Sequence, residues 1–372
     1  GTRVGVGSLT AGPAIAMPLP AGVRDLSSGN PDPALLPDLA AAAAVTGVEQ
    51  RLYGEAPGMI ELLDLARAAF HEDGVSAGPA CVVGGALDGT ERALRAHLRP
   101  GDRIAVEDPG YAALFQTLRV QALAPVPVAV DERGMVPEAL ERALAGGARA
   151  AIVTPRGQNP TGAAMDAERA HALREVLAAA PAVLLLEDDH LAGIADAPLA
   201  TCTPGNGRWA AIRSVSKALG PDLRLAILCG DEQTVARVQA VQRCGPGWVS
   251  HILQRLVHAL WSDPEVRALI ARARELYGRR RRALLSALAT HGVAASGRSG
   301  LNVWIPVEDE AAVVAALLQR GWAVAPGAPY RLWTSAPAIR VTTAALDPAD
   351  AAAFASSLGD LLNGERPWLR SA

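Results

Sequence analysis

The sequence predicts an α/β fold: a large domain on a mostly parallel seven-stranded sheet, plus a smaller α/β domain. Three observations predict it. Short apolar segments alternate with helix-like segments between residues 80 and 230, the pattern of strands joined by crossover helices. Gly84–Gly85, Asp108, Asn159, Asp188 and Lys217 all fall at or just after strand ends, where open α/β sheets hold ligands. Beyond Gly245 the pattern gives way to a long Arg-rich helical stretch and then to three short strand-like runs.

The elements follow in order. "ACVV" is a strand that meets Gly84–Gly85 and then the helix "LDGTERALRAHL". "RIAVED" is a strand, followed by a helix from about Tyr111. "VPVAV" and "RAAIVTP" are strands, each followed by a helix, "PEALERALA" and "DAERAHALREVLAAA". "AVLLLED" is wholly apolar until its acidic end, as a strand buried on both faces should be. "AAIRSVS" and "RLAILCG" flank Lys217. A helical region runs from about Ser250 to His291, and the run Arg279–Arg282 within it reads as a solvated face. "LNVWIPV", "WAVAP" and "AIRVTT" read as a second, smaller sheet, closed by the helix "PADAAAFASSLGDLL". The expected division is 1–45 for an N-terminal arm with part of the small domain, 46–262 for the large domain, and 263–372 for the small C-terminal domain.

Composition excludes several classes. At 372 residues and 50% hydrophobic content the chain can bury a sizeable core. A formal charge of −3 gives no reason to expect a nucleic-acid partner. Cys81, Cys202, Cys229 and Cys244 show no metal-ligand spacing and read as free thiols of a reducing, cytoplasmic compartment. The apolar N-terminus is broken by Gly and Pro, so it reads as an extended arm rather than a signal peptide. The run Val176–Leu186 is interrupted by Pro181 and too short to span a bilayer. No metal and no membrane association are expected.

One residue stands apart. Among 35 lysines and arginines, Lys217 is the sole lysine. Arginine serves most surface roles but stays protonated. A lysine amine can lose its proton and attack a carbonyl to form a Schiff base. Chance survival of one lysine under a codon bias explains the count equally well, so its neighbours must decide.

Those neighbours resemble a known family. "SVSKALGPDLRLA" is similar to the lysine signature of pyridoxal-phosphate enzymes of fold type I, the class I/II aminotransferases. "QNPTG" resembles their N-P-x-G motif. "EDDH" resembles the E-D-D-Y strand end of the aminotransferase-like domain of MocR-type regulators and related free-standing aminotransferases. "VEDPGYAAL", "RPGD" and "YGEAPGMIELLDLARAAF" follow the same pattern. The resemblance runs from about Leu26 to Leu361 and implies pyridoxal 5'-phosphate as cofactor.

It also implies roles. Lys217 would hold the cofactor and then move a proton at the substrate Cα. Asp188 would face the pyridine nitrogen, because the ring is an electron sink only when protonated. Asp189 would point away by strand alternation. Gly85, Ala86 and Leu87 at a helix start, with Ser214, Ser216 and Arg224, would hold the phosphate. Tyr111 would stack on the ring and Asn159 would donate to its phenolic oxygen. Tyr53 would reach a neighbouring subunit's phosphate, which implies a homodimer with shared sites. Arg340 would grip the α-carboxylate of an amino-acid substrate, near Ser28, Gly29 and Asn30.

The sequence also departs from the pattern. His190 stands where the branch has tyrosine; imidazole titrates near neutrality and could shuttle a proton. Ala226 replaces a glycine. The match begins near residue 26, so a DNA-binding regulator is not expected for this chain. An aminotransferase is the leading reading. Decarboxylation, oxidative deamination or β/γ-elimination on the same cofactor stays open, as does a sensor that binds the cofactor and an amino acid.

Overall fold

The computed structural model describes residues 19–47, 51–333 and 336–363. The arm read from the first residues lies almost wholly outside them. Among the described residues the main sheet has eight strands. Their spatial order is Ala80–Val83, Ala226–Gly230, Arg208–Ser214, Leu184–Asp189, Ala148–Val153, Arg103–Asp108, Ala124–Asp131 and Gly134–Met135. The five strands from Arg208–Ser214 to Ala124–Asp131 pair in parallel, and the outer pairings are antiparallel. The eighth strand is a two-residue hairpin return, too short to leave an apolar signal in the sequence.

Strand alternation sorts the sheet's side chains onto two faces. Leu185, Ala211 and Ile227 belong to one core with Leu173, Val257 and Ile270. Leu184, Leu186 and Ile212 belong to the other with Leu94, Phe115 and Val238. Leu184, Leu186, Ile212 and Leu228 are at most 1% exposed; each contributes about 1.5–3 kcal/mol of burial. The strand end places Asp188 and Asp189 on opposite faces by the same rule.

A three-stranded sheet of Asn302–Pro306, Ala338–Thr342 and Ala325–Pro326 forms the smaller layer. "WAVAP" divides between this sheet and a two-residue pairing of Trp322–Ala323 with Arg24–Asp25. The helical region from Ser250 to His291 is two helices, His251–Ser262 and Pro264–Thr290. Asp263 ends the first and caps the second through Glu265 N, and Pro264 at the first helical position lacks the N–H to continue a turn. The second helix starts in the large core with Ile270 and Tyr277 and ends in the small one with Leu284 and Leu288.

The run Arg279–Arg282 corrects a sequence expectation. Arg281 is 1% exposed and bonds Asp196, Gly297 O and Gly300 O. Arg280 bonds Asp32 at 2.8 Å. Arg282 also reaches Asp196, at 3.2 Å, so the tertiary fold uses three of these guanidiniums to tie segments together, which periodicity alone does not reveal.

Candidate active site

The site assembles where the parallel strands end. Lys217 follows the Arg208–Ser214 strand in a tight turn, and its Nζ donates to Gly29 O at 2.7 Å. That bond brings the N-terminal segment over the sheet. Burial first, then Arg340 and Arg224, pushes the amine down to about 8. Near neutral pH a fraction of such amines is unprotonated and nucleophilic.

Asp188 is the last residue but one of the adjacent strand, Leu184–Asp189. Burial, then Asp189 and Glu107, pushes its carboxyl up to about 7. Its Oδ1 is buried without a hydrogen-bond partner. Asp189, one residue on, is the opposite case. Arg156 Nε and Nη2 donate to its two oxygens at 2.8 Å each, and Arg213 Nε donates at 3.2 Å. Burial alone would raise its pKa, but the two guanidiniums outweigh it and hold the carboxyl low.

Gly85 caps the Ala86–His97 helix with no side-chain cap bond and a φ of 116°, a backbone that favours glycine. A Cβ there would lie 2.8 Å from Arg224 Nη2. The Arg224 guanidinium thus packs against the backbone at the helix start, with little space for a side chain at Gly85. Arg224 is itself left-handed at φ 41°. Ser214 and Ser216 are buried nearby, and Ser216 N donates to Ser214 Oγ at 3.2 Å.

Arg340 comes from the small sheet and is 4% exposed. Its Nη1 donates to Asn159 Oδ1 at 3.1 Å and its Nη2 donates to Ser27 O. The guanidinium lies 4.9 Å from the Tyr330 ring centroid, while Nε is buried without a partner. Gly29 borders it: a Cβ there would be 3.3 Å from Arg340 Nη2. Tyr111 precedes the Ala112–Val120 helix; burial and the Asp188 charge raise its phenol. Asn159 precedes a cis proline.

Other residues fall differently. Ser28 bonds Asp25 through its backbone N–H, and Asn30 is exposed. Tyr53 is 93% exposed and packs edge-on against Trp248 at 5.6 Å. His190 departs from expectation. Burial, then Lys217, pushes its imidazole down to about 4, so it is neutral at pH 7. The near-neutral titration expected from its free pKa does not survive burial, to which the neighbouring Lys217 adds.

Sequence reasoning missed Glu107, Gln158 and Tyr330. Glu107 accepts from Thr154 N at 2.9 Å and from Gln158 Nε2 at 3.1 Å. It thereby ties the loop carrying Asn159 to the end of Arg103–Asp108. The acid pair Glu107–Asp108 closing "RIAVED" was the available signal, since strand alternation turns one of the two inward. Tyr330 had none, because its neighbours place it on Arg340 only in three dimensions.

A family model described as aminotransferase class I and II matches residues 21–358. The chain belongs to this family. Its cofactor is pyridoxal 5'-phosphate. A curated relative of this aminotransferase-family chain is the vitamin B6 salvage pathway transcriptional repressor PtsJ of Salmonella typhimurium. The two are 41% identical over 346 residues, 92% of this chain and 80% of that protein. The HTH-type transcriptional regulator TauR of Rhodobacter capsulatus is 33% identical over 228 residues, 59% of this chain. The chain spans 45% of TauR's length in that match. The solved structure of Pyrococcus horikoshii kynurenine aminotransferase superposes with a TM-score of 0.84 at 21% identity, covering 93% of this chain and 92% of that one. MocR-type regulators and aminotransferases thus share this fold.

The residues present fit the cofactor. A buried, unpartnered carboxylate oxygen on Asp188 suits a group that brings a proton, as a pyridinium nitrogen does. The helix start at Gly85, two serine hydroxyls and Arg224 supply the kinds of donor that a phosphate group would take. Lys217 lies in the turn between Ser216 and the Ala226–Gly230 strand, with Arg224 at the far end of that turn. Among the described residues no group of three or more His, Cys, Asp or Glu could hold a metal. No described helix is long and apolar enough to cross a membrane.

Proposed function

We propose that this chain holds pyridoxal phosphate covalently on Lys217 and moves the amino group of an α-amino acid, as an aminotransferase. One observation carries the reading: Lys217 Nζ donates to Gly29 O, and Gly29 in turn borders the buried guanidinium of Arg340, whose Nε has no partner. When bound, the cofactor withdraws electrons from the substrate Cα. Lys217 supplies the nucleophile for attachment and, once released, the base that moves the Cα proton. Asp188 keeps a proton on the pyridine nitrogen. Arg340 holds the α-carboxylate with a planar fork that stays charged. Asn159 shares that fork, so substrate orientation and cofactor contact are set together. Tyr111 covers the ring, and the neutral imidazole of His190 serves as a hydrogen-bonding group in place of a phenol. The exposure of Tyr53 fits a residue that serves a partner subunit in a homodimer. Mixing Tyr53→Phe with Lys217→Ala subunits then regenerates one intact site per heterodimer; activity of a stable monomer equal to wild type would refute the sharing.

A second reading rests on the 41% identity to a repressor of vitamin B6 salvage. In it the same site binds cofactor and amino acid as a signal. One assay separates the readings. Purified protein with pyridoxal phosphate is given a panel of amino acids, with and without a 2-oxo acid. Turnover that needs the oxo acid supports transamination. Carbon dioxide, peroxide or thiol release supports decarboxylation, oxidative deamination or elimination. Spectral change without turnover supports the sensor and refutes the enzyme.

A further inference from the structure

A second cavity lies behind the sheet, on the face away from Asp188. Its volume is about 370 Å³, within the roughly 300–1,000 Å³ of small-molecule sites. Arg156 and Arg213 form its inner wall, Arg267 and Arg274 lie at its rim, and Trp261 and Ile270 belong to its apolar lining. Ser214, which the Lys217 site also uses, and Ala218, next to Lys217 in the chain, line the cavity as well, but none of the four arginines takes part in the site around Lys217.

We propose that this cavity binds a small organic anion, a carboxylate or phosphate ester carried on an apolar body. Charge is the first argument. Four guanidiniums line the cavity against two carboxylates, Glu72 and Asp73. With Asp189 and Glu187 behind the wall the acids also number four, so the positive excess belongs to the cavity lining itself. The second argument is donor geometry. Arg156 and Arg213 are buried, with side chains 8% and 5% exposed. Both use Nε and Nη2 for Asp189 and Asp73. That leaves Nη1 of each without a protein acceptor among the described residues. A guanidinium has five N–H donors, so these forks can take a further acceptor without losing their present bonds. Asp73 shows the group that the wall accepts: its carboxylate lies 2.6 Å from Arg213 Nη2 and 3.6 Å from Arg156 Nη2, and it is partly open to solvent. The third argument is the apolar lining. Trp261, partly exposed, and the inner edges of the buried Ile270 and Leu219 offer an apolar wall that an organic body packs against and inorganic phosphate does not.

The test is calorimetric titration of protein saturated with pyridoxal phosphate and reduced with borohydride, so that the Lys217 site is filled. The probes are phenyl phosphate and benzoate, with inorganic phosphate and phenol as controls. At least one organic anion is expected to bind at one site per chain, about tenfold or more tightly than either control. Preference for phenyl phosphate assigns a phosphate ester, and preference for benzoate assigns a carboxylate. The double change Arg267→Ala, Arg274→Ala, on exposed positions of a helix, is expected to weaken binding about tenfold or more. Ala69→Trp, which fills the cavity without changing charge, is expected to do the same. These positions lie across the sheet from Asp188, so their effect isolates the cavity whatever the main site binds. Failure of both organic anions to bind at 10 mM, binding of phenol as tight as that of the anions, or unchanged binding in the arginine variant would overturn the proposal.

Discussion

Asp188 and Asp189 are neighbours in the chain and opposites in physics. On the back face Asp189 is closed: two guanidiniums meet it, and Asp73 completes the network through Arg213. On the front face Asp188 keeps an oxygen with no partner, and across the site Arg340 keeps an unpartnered Nε. A buried polar atom without a bond costs about 1–3 kcal/mol. The front face carries that cost and the back face avoids it. The difference teaches where the fold is complete in itself and where it is built around something else.

The comparison is tested most severely at Lys217. Lys217→Ala is expected to abolish the visible band that borohydride removes, and with it all covalent attachment away from the N-terminal amine. Mass spectrometry after reduction checks this; label on another side chain of the wild-type protein would sink the assignment. The adjacent aspartates come next. Asp188→Ala should cut activity by about 10²–10³-fold, the scale of one electrostatic group, with little change in melting temperature. Asp189→Ala should do the reverse, costing about 3–5 kcal/mol because it strands two buried guanidiniums. Denaturant melts beside kinetic assays resolve the two, and equal stability losses would erase the distinction between faces.

Smaller effects sharpen it. A neutral imidazole cannot shuttle protons as an ammonium-like acid at pH 7, so His190→Tyr should change turnover by less than about tenfold, short of the 10²–10⁴ of a general acid–base group. A larger loss with intact cofactor affinity would restore the shuttle. The smallest effect is on stability against pH in the cofactor-free protein. Folding raises Asp188 from 3.8 to about 7 and Glu107 from 4.5 to about 7. The native state then binds more protons than the unfolded chain between about pH 4 and 7, so stability is highest below that window and falls as pH rises through 7. Asp188→Asn should flatten part of this slope in thermal melts at pH 5, 6, 7 and 8; an unchanged slope would contradict the raised carboxyl.

Much of this was legible in the residues. Strand and helix periodicity located the sheet and its order of elements, because apolar alternation is a local property. The "EDDH" and "SVSKALGPDLRLA" stretches marked the chemistry, because a lysine and an acid at strand ends have few other uses. Less visible was what each acid meets. "EDD" reads as three like charges, yet Glu187 bonds Thr201 and Cys202 N, Asp189 bonds arginines, and Asp188 bonds nothing at Oδ1.

The sequence by itself determined the fold, the family and the cofactor, since these depend on spacing and residue type. Tertiary structure alone decided which charges are paired. It buried Arg281 in a run that looked solvated, moved His190 from near neutrality to about 4 by burying it and setting it beside Lys217, and opened an arginine-walled cavity behind the sheet. The physical reason is range. Periodicity acts over a few residues, whereas desolvation and Coulomb energy depend on atoms that the chain brings together from hundreds of residues away.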